Sequence, residues 1–162
     1  MKKNDTLIGT CENYTYDGMG VVKIEGFPLF VKGLLVNEKA LIGVTKLKKT
    51  YGYARIIELL DSSEARKVPA CPIAKACGGC QLQHMSYDEQ LRFKRQKVQD
   101  VIKRIAHLDL KVLPVKGMEE PYFYRNKAQI PFRYIDGHLH SGFYRINSNT
   151  IIDMDTCCIQ SK

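Results

Sequence analysis

Cys71-Pro72-Ile73-Ala74-Lys75-Ala76-Cys77-Gly78-Gly79-Cys80 divides this chain in two and governs how the rest of it is read. The next thiols, Cys157 and Cys158, stand near the other end of the sequence, so the gaps run five, two and then 76 residues. Soft metal centres take three or four thiolates, and this pattern offers three local ligands and one remote. Gly78 and Gly79 let the backbone fold tightly between two ligands and bring amide N–H groups near sulfur. Three readings compete. Zinc sites usually close with two short Cys-x(2–4)-Cys hooks, and the second hook is missing here. A disulfide framework suits small secreted domains, but no apolar signal stretch follows Met1-Lys2-Lys3-Asn4-Asp5, and 162 residues can build a core without staples. An iron–sulfur cluster tolerates a wide first gap and one distant ligand. Spacing alone leaves cluster, zinc and plain thiols open. Cys11 reads as a small buried hydrophobe.

Composition sets the outer bounds. With 44% hydrophobic and 26% charged residues the chain has the make-up of a globular protein of one ordinary or two small domains. Lys and Arg number 25 against 17 acidic residues, a net charge of +8, which favours a polyanionic partner and nucleic acid before membrane. No run approaches the about 20 apolar residues of a membrane helix. A cytoplasmic protein is expected, where thiols stay reduced.

Upstream of the thiols, residues 1–60 read as short strands with close turns. Asp17-Gly18-Met19-Gly20 and Glu25-Gly26 are turn sites, with Val21–Ile24 and Phe27–Val31 around the second. Lys39–Leu47 and Tyr51–Leu60 are further β-rich runs, although Ile56–Leu60 also suits a helical turn. Five short strands in sixty residues favour a small closed barrel over an open sheet. Residues 61–70 are polar, contain Pro69 and read as a linker. Downstream, residues 86–107 form the one long helix: Ser86 and Glu89 make a capping box, and Tyr87, Leu91, Val98, Val101, Ile102 and Ile105 make an apolar stripe expected to pack into a core. Strands are then expected over Tyr124–Tyr134, Leu139–Tyr144 and Thr150–Met154, with turns at Asp136-Gly137 and Asn147-Ser148-Asn149. This meander returns Cys157 toward the first three cysteines. The expected fold is mainly β with one long helix, an α+β chain with a barrel at 1–60, the linker at 61–70 and a thiol-bearing antiparallel domain at 71–162 that includes helix 86–107.

Two clusters combine cations with aromatic rings, as RNA-binding surfaces do. The first is Lys46, Lys48, Lys49, Tyr51 and Tyr53. The second is Tyr122, Tyr124, Arg125, Lys127 and Arg133, where strand alternation would put Arg125 and Lys127 on one face. No phosphate-binding glycine loop, dinucleotide fingerprint or Ser/His/Asp set is present. His138 and His140 share a strand face without a carboxylate in the motif, which points to a surface hairpin.

The segment Cys71-Pro72 through Cys77-Gly78-Gly79-Cys80-Gln81-Leu82-Gln83-His84 resembles the cluster motif of bacterial 23S ribosomal RNA uracil-5-methyltransferases. The likeness continues through Tyr124-Arg125-Asn126-Lys127-Ala128 and Ile152-Asp153-Met154-Asp155-Thr156-Cys157, while Asp17-Gly18-Met19-Gly20, Phe30-Val31-Lys32-Gly33 and Glu38 resemble the TRAM domain, an OB-like RNA-binding barrel. It covers essentially the whole chain. The resemblance implies a [4Fe–4S] cluster on Cys71, Cys77, Cys80 and Cys157. It implies 23S ribosomal RNA as partner, and the RNA contacts are expected from the two cation–aromatic clusters, at Lys46, Lys48, Lys49, Tyr51, Arg125, Lys127 and Arg133. Family members use S-adenosylmethionine, with a cysteine of their C-terminal domain attacking uracil carbon 6. That domain follows the position of Cys157 in the family, so this chain is expected to lack the S-adenosylmethionine domain, to contain no catalytic or cofactor-loop residue and to be inactive alone. It is further expected to be a monomer, with the stripe from Leu91 to Ile105 partly exposed and prone to association. Asn37 stands where the family tends to have glycine, and Asn tolerates left-handed φ. The alternative is a stand-alone zinc- or cluster-stabilised RNA-binding module without catalytic activity.

Overall fold

A computed structural model describes residues 1–161. Five strands, β1 (Thr6–Tyr14), β2 (Gly20–Ile24), β3 (Phe27–Val31), β4 (Lys39–Leu47) and β5 (Gly52–Asp61), close into a barrel in the order β1-β2-β3-β5-β4. The helix α1 (Tyr87–Arg104) follows, and β6 (Phe132–Ile135), β7 (His138–Tyr144) and β8 (Ile151–Asp153) form a separate antiparallel sheet.

Barrel closure follows from local chemistry. Glu25 and Gly26 both have positive φ (50° and 82°), the mirror-image turn whose twist matches the flanking strands β2 and β3. Register shifts at Cys11/Asn13 in β1 and at three places between β4 and β5 add the local coiling that a five-stranded closure needs. A parallel pairing of β3 with β5 completes the ring, and β5 continues as strand through Ile56–Leu60. Alternate residues point inward, so Leu29 and Val31, Ala40, Ile42 and Val44 fill the core together with Cys11, Val22, Leu34 and Ala54. Gly20 is required by close approach: a Cβ there would lie 2.6 Å from the Leu34 carbonyl oxygen and 2.8 Å from Cys11 Sγ. Cys11 is indeed a buried hydrophobe, and burial pushes its thiol up to about 11. Asn37 takes φ 70°, so the turn ahead of Glu38 forms without glycine.

The chain divides into two compact units that cut across the expected boundaries. The first comprises 1–67 and 84–115, and the second 68–83 and 116–162. The helix thus belongs with the barrel. Residues 61–67 of the expected linker are built into the same unit: the Ser63 N–H donates to Glu38 (3.2 Å), the Lys67 N–H to the His84 carbonyl (2.9 Å) and the Ser86 N–H to the Ala65 carbonyl (2.7 Å). Ser86 caps α1 by accepting from the Glu89 N–H at 3.3 Å, but the other half of the capping box does not form, because the Glu89 carboxylate turns instead to the Tyr14 hydroxyl (2.7 Å) and Arg92. The buried helical residues are therefore Glu89 and Phe93, the latter edge-on to Tyr14 at 5.5 Å. Val98, Val101 and Ile105 of the stripe expected in the core are exposed.

In the second unit the expected strand over Tyr124–Tyr134 shrinks to β6. Pro121 and Pro131 carry no N–H and Phe123 has positive φ (53°), so a continuous ladder is interrupted. The segment uses its hydrogen bonds otherwise: the N–H groups of Phe123 and Arg125 donate to the carbonyls of Cys158 (3.0 Å) and Ile159 (2.8 Å).

Candidate functional site

The first three cysteines sit on a loop folded by its own backbone. The Ala74 and Cys77 N–H groups donate to the Cys71 and Ile73 carbonyls (3.2 and 2.8 Å). The loop docks onto the end of β7, where the Gly78 N–H donates to Tyr144 (2.9 Å) and the Ile146 N–H to Ala76 (2.9 Å). A Cβ on Gly78 would lie 3.1 Å from the Tyr144 oxygen, so the missing side chain permits the approach. The β7–β8 hairpin then carries the chain to Cys157, and the 123–125 segment clamps the residues beyond it.

This path brings the distant thiol within electrostatic reach of the local three. Cys80 is pushed up chiefly by burial, is relieved in part by a hydrogen bond with Gln83, and is raised further by Cys157, Cys77 and Cys71. Cys77 is buried, and its sulfur accepts the Gly79 N–H at 3.3 Å, the amide-to-sulfur contact expected from the paired glycines. Gln83 also accepts the Cys71 N–H (3.2 Å), so one side chain braces two of the thiol positions. Sequence reasoning assigned Gln83 no role, although it falls inside the quoted motif. Burial pushes the Cys158 thiol up as well, with Cys71 and Cys157 raising it further. No disulfide joins the six cysteines. Among the described residues, no three His, Cys, Asp or Glu side chains form a group able to hold a single metal ion. A tetrahedral zinc, with Zn–S of about 2.3 Å, would ask its sulfurs to lie about 3.8 Å apart.

The expected cation and aromatic residues fall into two different settings. Lys46, Lys48 and Lys49 are exposed around the β4–β5 turn, beside Tyr51 and Tyr53. Both tyrosines pack on Phe30 of β3, with centroids 5.3 and 5.8 Å away, a partner that the sequence reading missed because it lies a strand apart. The second cluster does not share one strand face. Arg125 bridges to Gln160 and Lys127 lies in a loop, so only Arg133 stands in a strand, opposite His140. His140 does find a carboxylate, Asp153, at 2.6 Å across the sheet. Among the described residues, no helix is long and apolar enough to cross a membrane.

Fold and thiols together define a class: a small closed β-barrel joined to a unit that carries five of the six cysteines. No family model matches the chain. Relatives do. It is 46% identical over its full length to an uncharacterized RNA methyltransferase of Listeria innocua and 47% identical to one of Halalkalibacterium halodurans, in each case matching 36% of the relative. A Clostridium tetani counterpart is 42% identical, again over the whole chain and 35% of its own length. Among solved structures, Pyrococcus abyssi tRNA (uracil-54, C5)-methyltransferase in complex with S-adenosyl-L-homocysteine superposes with a TM-score of 0.61 and 27% identity, over 96% of this chain and 33% of that one. The chain is thus similar from end to end to part of bacterial RNA methyltransferases and spans little more than a third of the length of these relatives.

Proposed function

We propose that this chain is the RNA-recognition and cluster-bearing N-terminal portion of an S-adenosylmethionine-dependent RNA uracil-C5 methyltransferase, with 23S ribosomal RNA as its substrate. The observation that carries this reading is end-to-end similarity to RNA methyltransferases, joined to the likeness with a uracil-C5 enzyme. The barrel is then the OB-like TRAM domain, and it presents RNA with lysines and aromatic rings. Methyl transfer belongs to the two thirds of the relatives that the chain does not span.

Cys71, Cys77, Cys80 and Cys157 would hold the [4Fe–4S] cluster. Two observations support the fit. Cys157, Cys77 and Cys71 all act electrostatically on the Cys80 thiol, so the chain returns the remote cysteine to the neighbourhood of the local three. The second unit also has little apolar interior of its own, since Cys77 and Ile159 are its only buried hydrophobic residues among those described. A small unit so poor in core needs a staple, and metal–thiolate bonds contribute folding free energy directly. When bound, the cluster supplies cross-linking of remote segments rather than a catalytic group. The chain's own residues orient it: the Gly79 amide donates to sulfur and Gln83 holds the Cys71 backbone in place.

The test is anaerobic purification followed by iron and acid-labile sulfide analysis. About four of each per chain is expected. A colourless protein with one zinc and no sulfide overturns the cluster. For the substrate, the chain should hold 23S ribosomal RNA fragments more tightly than transfer RNA; equal affinity would remove the ribosomal assignment.

A further inference from the structure

The first hairpin of the barrel and α1 enclose a groove of about 470 Å³, within the range that takes a small planar ligand. Its floor is apolar, made of Val21, Phe30, Phe93 and Val101. Asn13, Gln96 and Asp100 also line it, Asn13 accepting the Tyr14 N–H (2.8 Å) and Gln96 donating to Asp100 (2.9 Å), and Lys97 and Arg104 add positive charge. Lys23 also lines it but is engaged with Glu12 at 3.0 Å.

At the apex of that hairpin stands Tyr16, 76% exposed. The turn that carries it is held by the Thr15 N–H on the Met19 carbonyl (2.8 Å), the Gly18 N–H on the Thr15 carbonyl (3.0 Å) and the Met19 N–H on Thr15 Oγ1 (3.0 Å). A rigid loop thus presents a large ring to solvent, with Lys97 Nζ 5.5 Å from its centroid. Phe30 belongs both to the groove floor and to the trio with Tyr51 and Tyr53, so groove and aromatic platform are one continuous surface. Tyr16 lines the same groove as Phe30, so the hairpin apex borders this surface. Along this track Lys46, Lys48, Lys49, Lys97 and Arg104 outnumber Asp17 and Asp100.

We propose that the groove between the β1–β2 hairpin and α1 is a subsite for one unstacked RNA base, stacked on Tyr16, with the neighbouring nucleotides running over Phe30, Tyr51 and Tyr53 toward Lys46, Lys48 and Lys49. The inference deepens the RNA-binding reading and rests on it. Flat rings with flanking cations are the chemistry that single-stranded RNA selects, base by base and phosphate by phosphate. An apolar helix of a protein partner would leave the lysines and Arg104 without a role.

The experiment uses the full chain and a single-stranded RNA of about 12 nucleotides carrying 4-thiouridine, a length within the range that one such barrel covers. Photo-crosslinks are expected on the peptides holding Tyr16 and Lys97. Tyr16→Ala should weaken binding by about 5- to 150-fold, the effect of losing one stacked base, while Tyr16→Phe keeps it. Lys97→Met should lower the slope of log affinity against log salt by about 0.7. If Tyr16→Ala and Lys97→Met bind as the parent does, while Lys46, Lys48 and Lys49 changed together to Glu abolish binding, RNA recognition stands and the groove is not part of it. Tyr16→Ala that changes only the sedimentation behaviour assigns the groove to a second copy and overturns the proposal. A parent chain that fails to bind the probe at all removes the RNA reading itself.

Discussion

Glu38 is fully buried, and four donors converge on its carboxylate: the N–H groups of Leu35 (2.8 Å) and Ser63 (3.2 Å), and Nε and Nη2 of Arg66 (2.6 and 2.5 Å). Arg66 also donates to the Gly33 carbonyl at 2.7 Å. A charge taken out of water survives only with such complete pairing, because its desolvation is otherwise uncompensated. Arg66→Met keeps the length of the side chain but strands the carboxylate. It should lower stability by about 3–5 kcal/mol, read as an earlier urea midpoint for the barrel unit. A loss below about 1 kcal/mol would show that water replaces the guanidinium. Glu38 could be quoted from the sequence as part of a motif; its partner could not, since Arg66 sat in a stretch that read as linker.

The helix shows the limit of periodicity. Its apolar stripe was plain, yet the face turned to the barrel is the one bearing Glu89 and Phe93. Tyr14 explains the choice. Its hydroxyl donates to Glu89 and accepts the Val36 N–H at 3.0 Å, and its ring meets Phe93 edge to face. A strand residue thus selects which side of the helix is buried. Phe93→Ala should cost about 3–5 kcal/mol, whereas Val98→Ala, on an exposed position, should stay within about 0.5 kcal/mol. Urea titration of both variants checks this; equal effects would mean that the stripe is the packed face after all.

The two units have different sources of stability. The barrel carries a contiguous apolar interior, from Cys11 through Ala54, and needs no cross-link. The sheet β6–β7–β8 is mostly exposed, and backbone hydrogen bonds tie its ends to the thiol loop and to the segment around Phe123. Cys80→Ser should therefore unfold the second unit selectively. Amide hydrogen exchange should rise across 68–83 and 116–161 and stay slow in β1 to β5. Loss of protection throughout would show that the units fold as one.

Local chemistry carried much of this protein. Turn residues such as Glu25-Gly26, period-two alternation in β3 and β4, and the Ser86 cap depend on a few adjacent positions, so the chain alone specified the barrel strands and the start of the helix. Tertiary structure decided the rest. Pairing Glu38 with Arg66, turning Phe93 rather than Val98 inward, joining Phe30 to Tyr51 and dissolving most of the Tyr124–Tyr134 strand each depend on a partner far away in sequence. Burial and hydrogen-bond satisfaction are properties of the folded surroundings, and no short window of residues contains them.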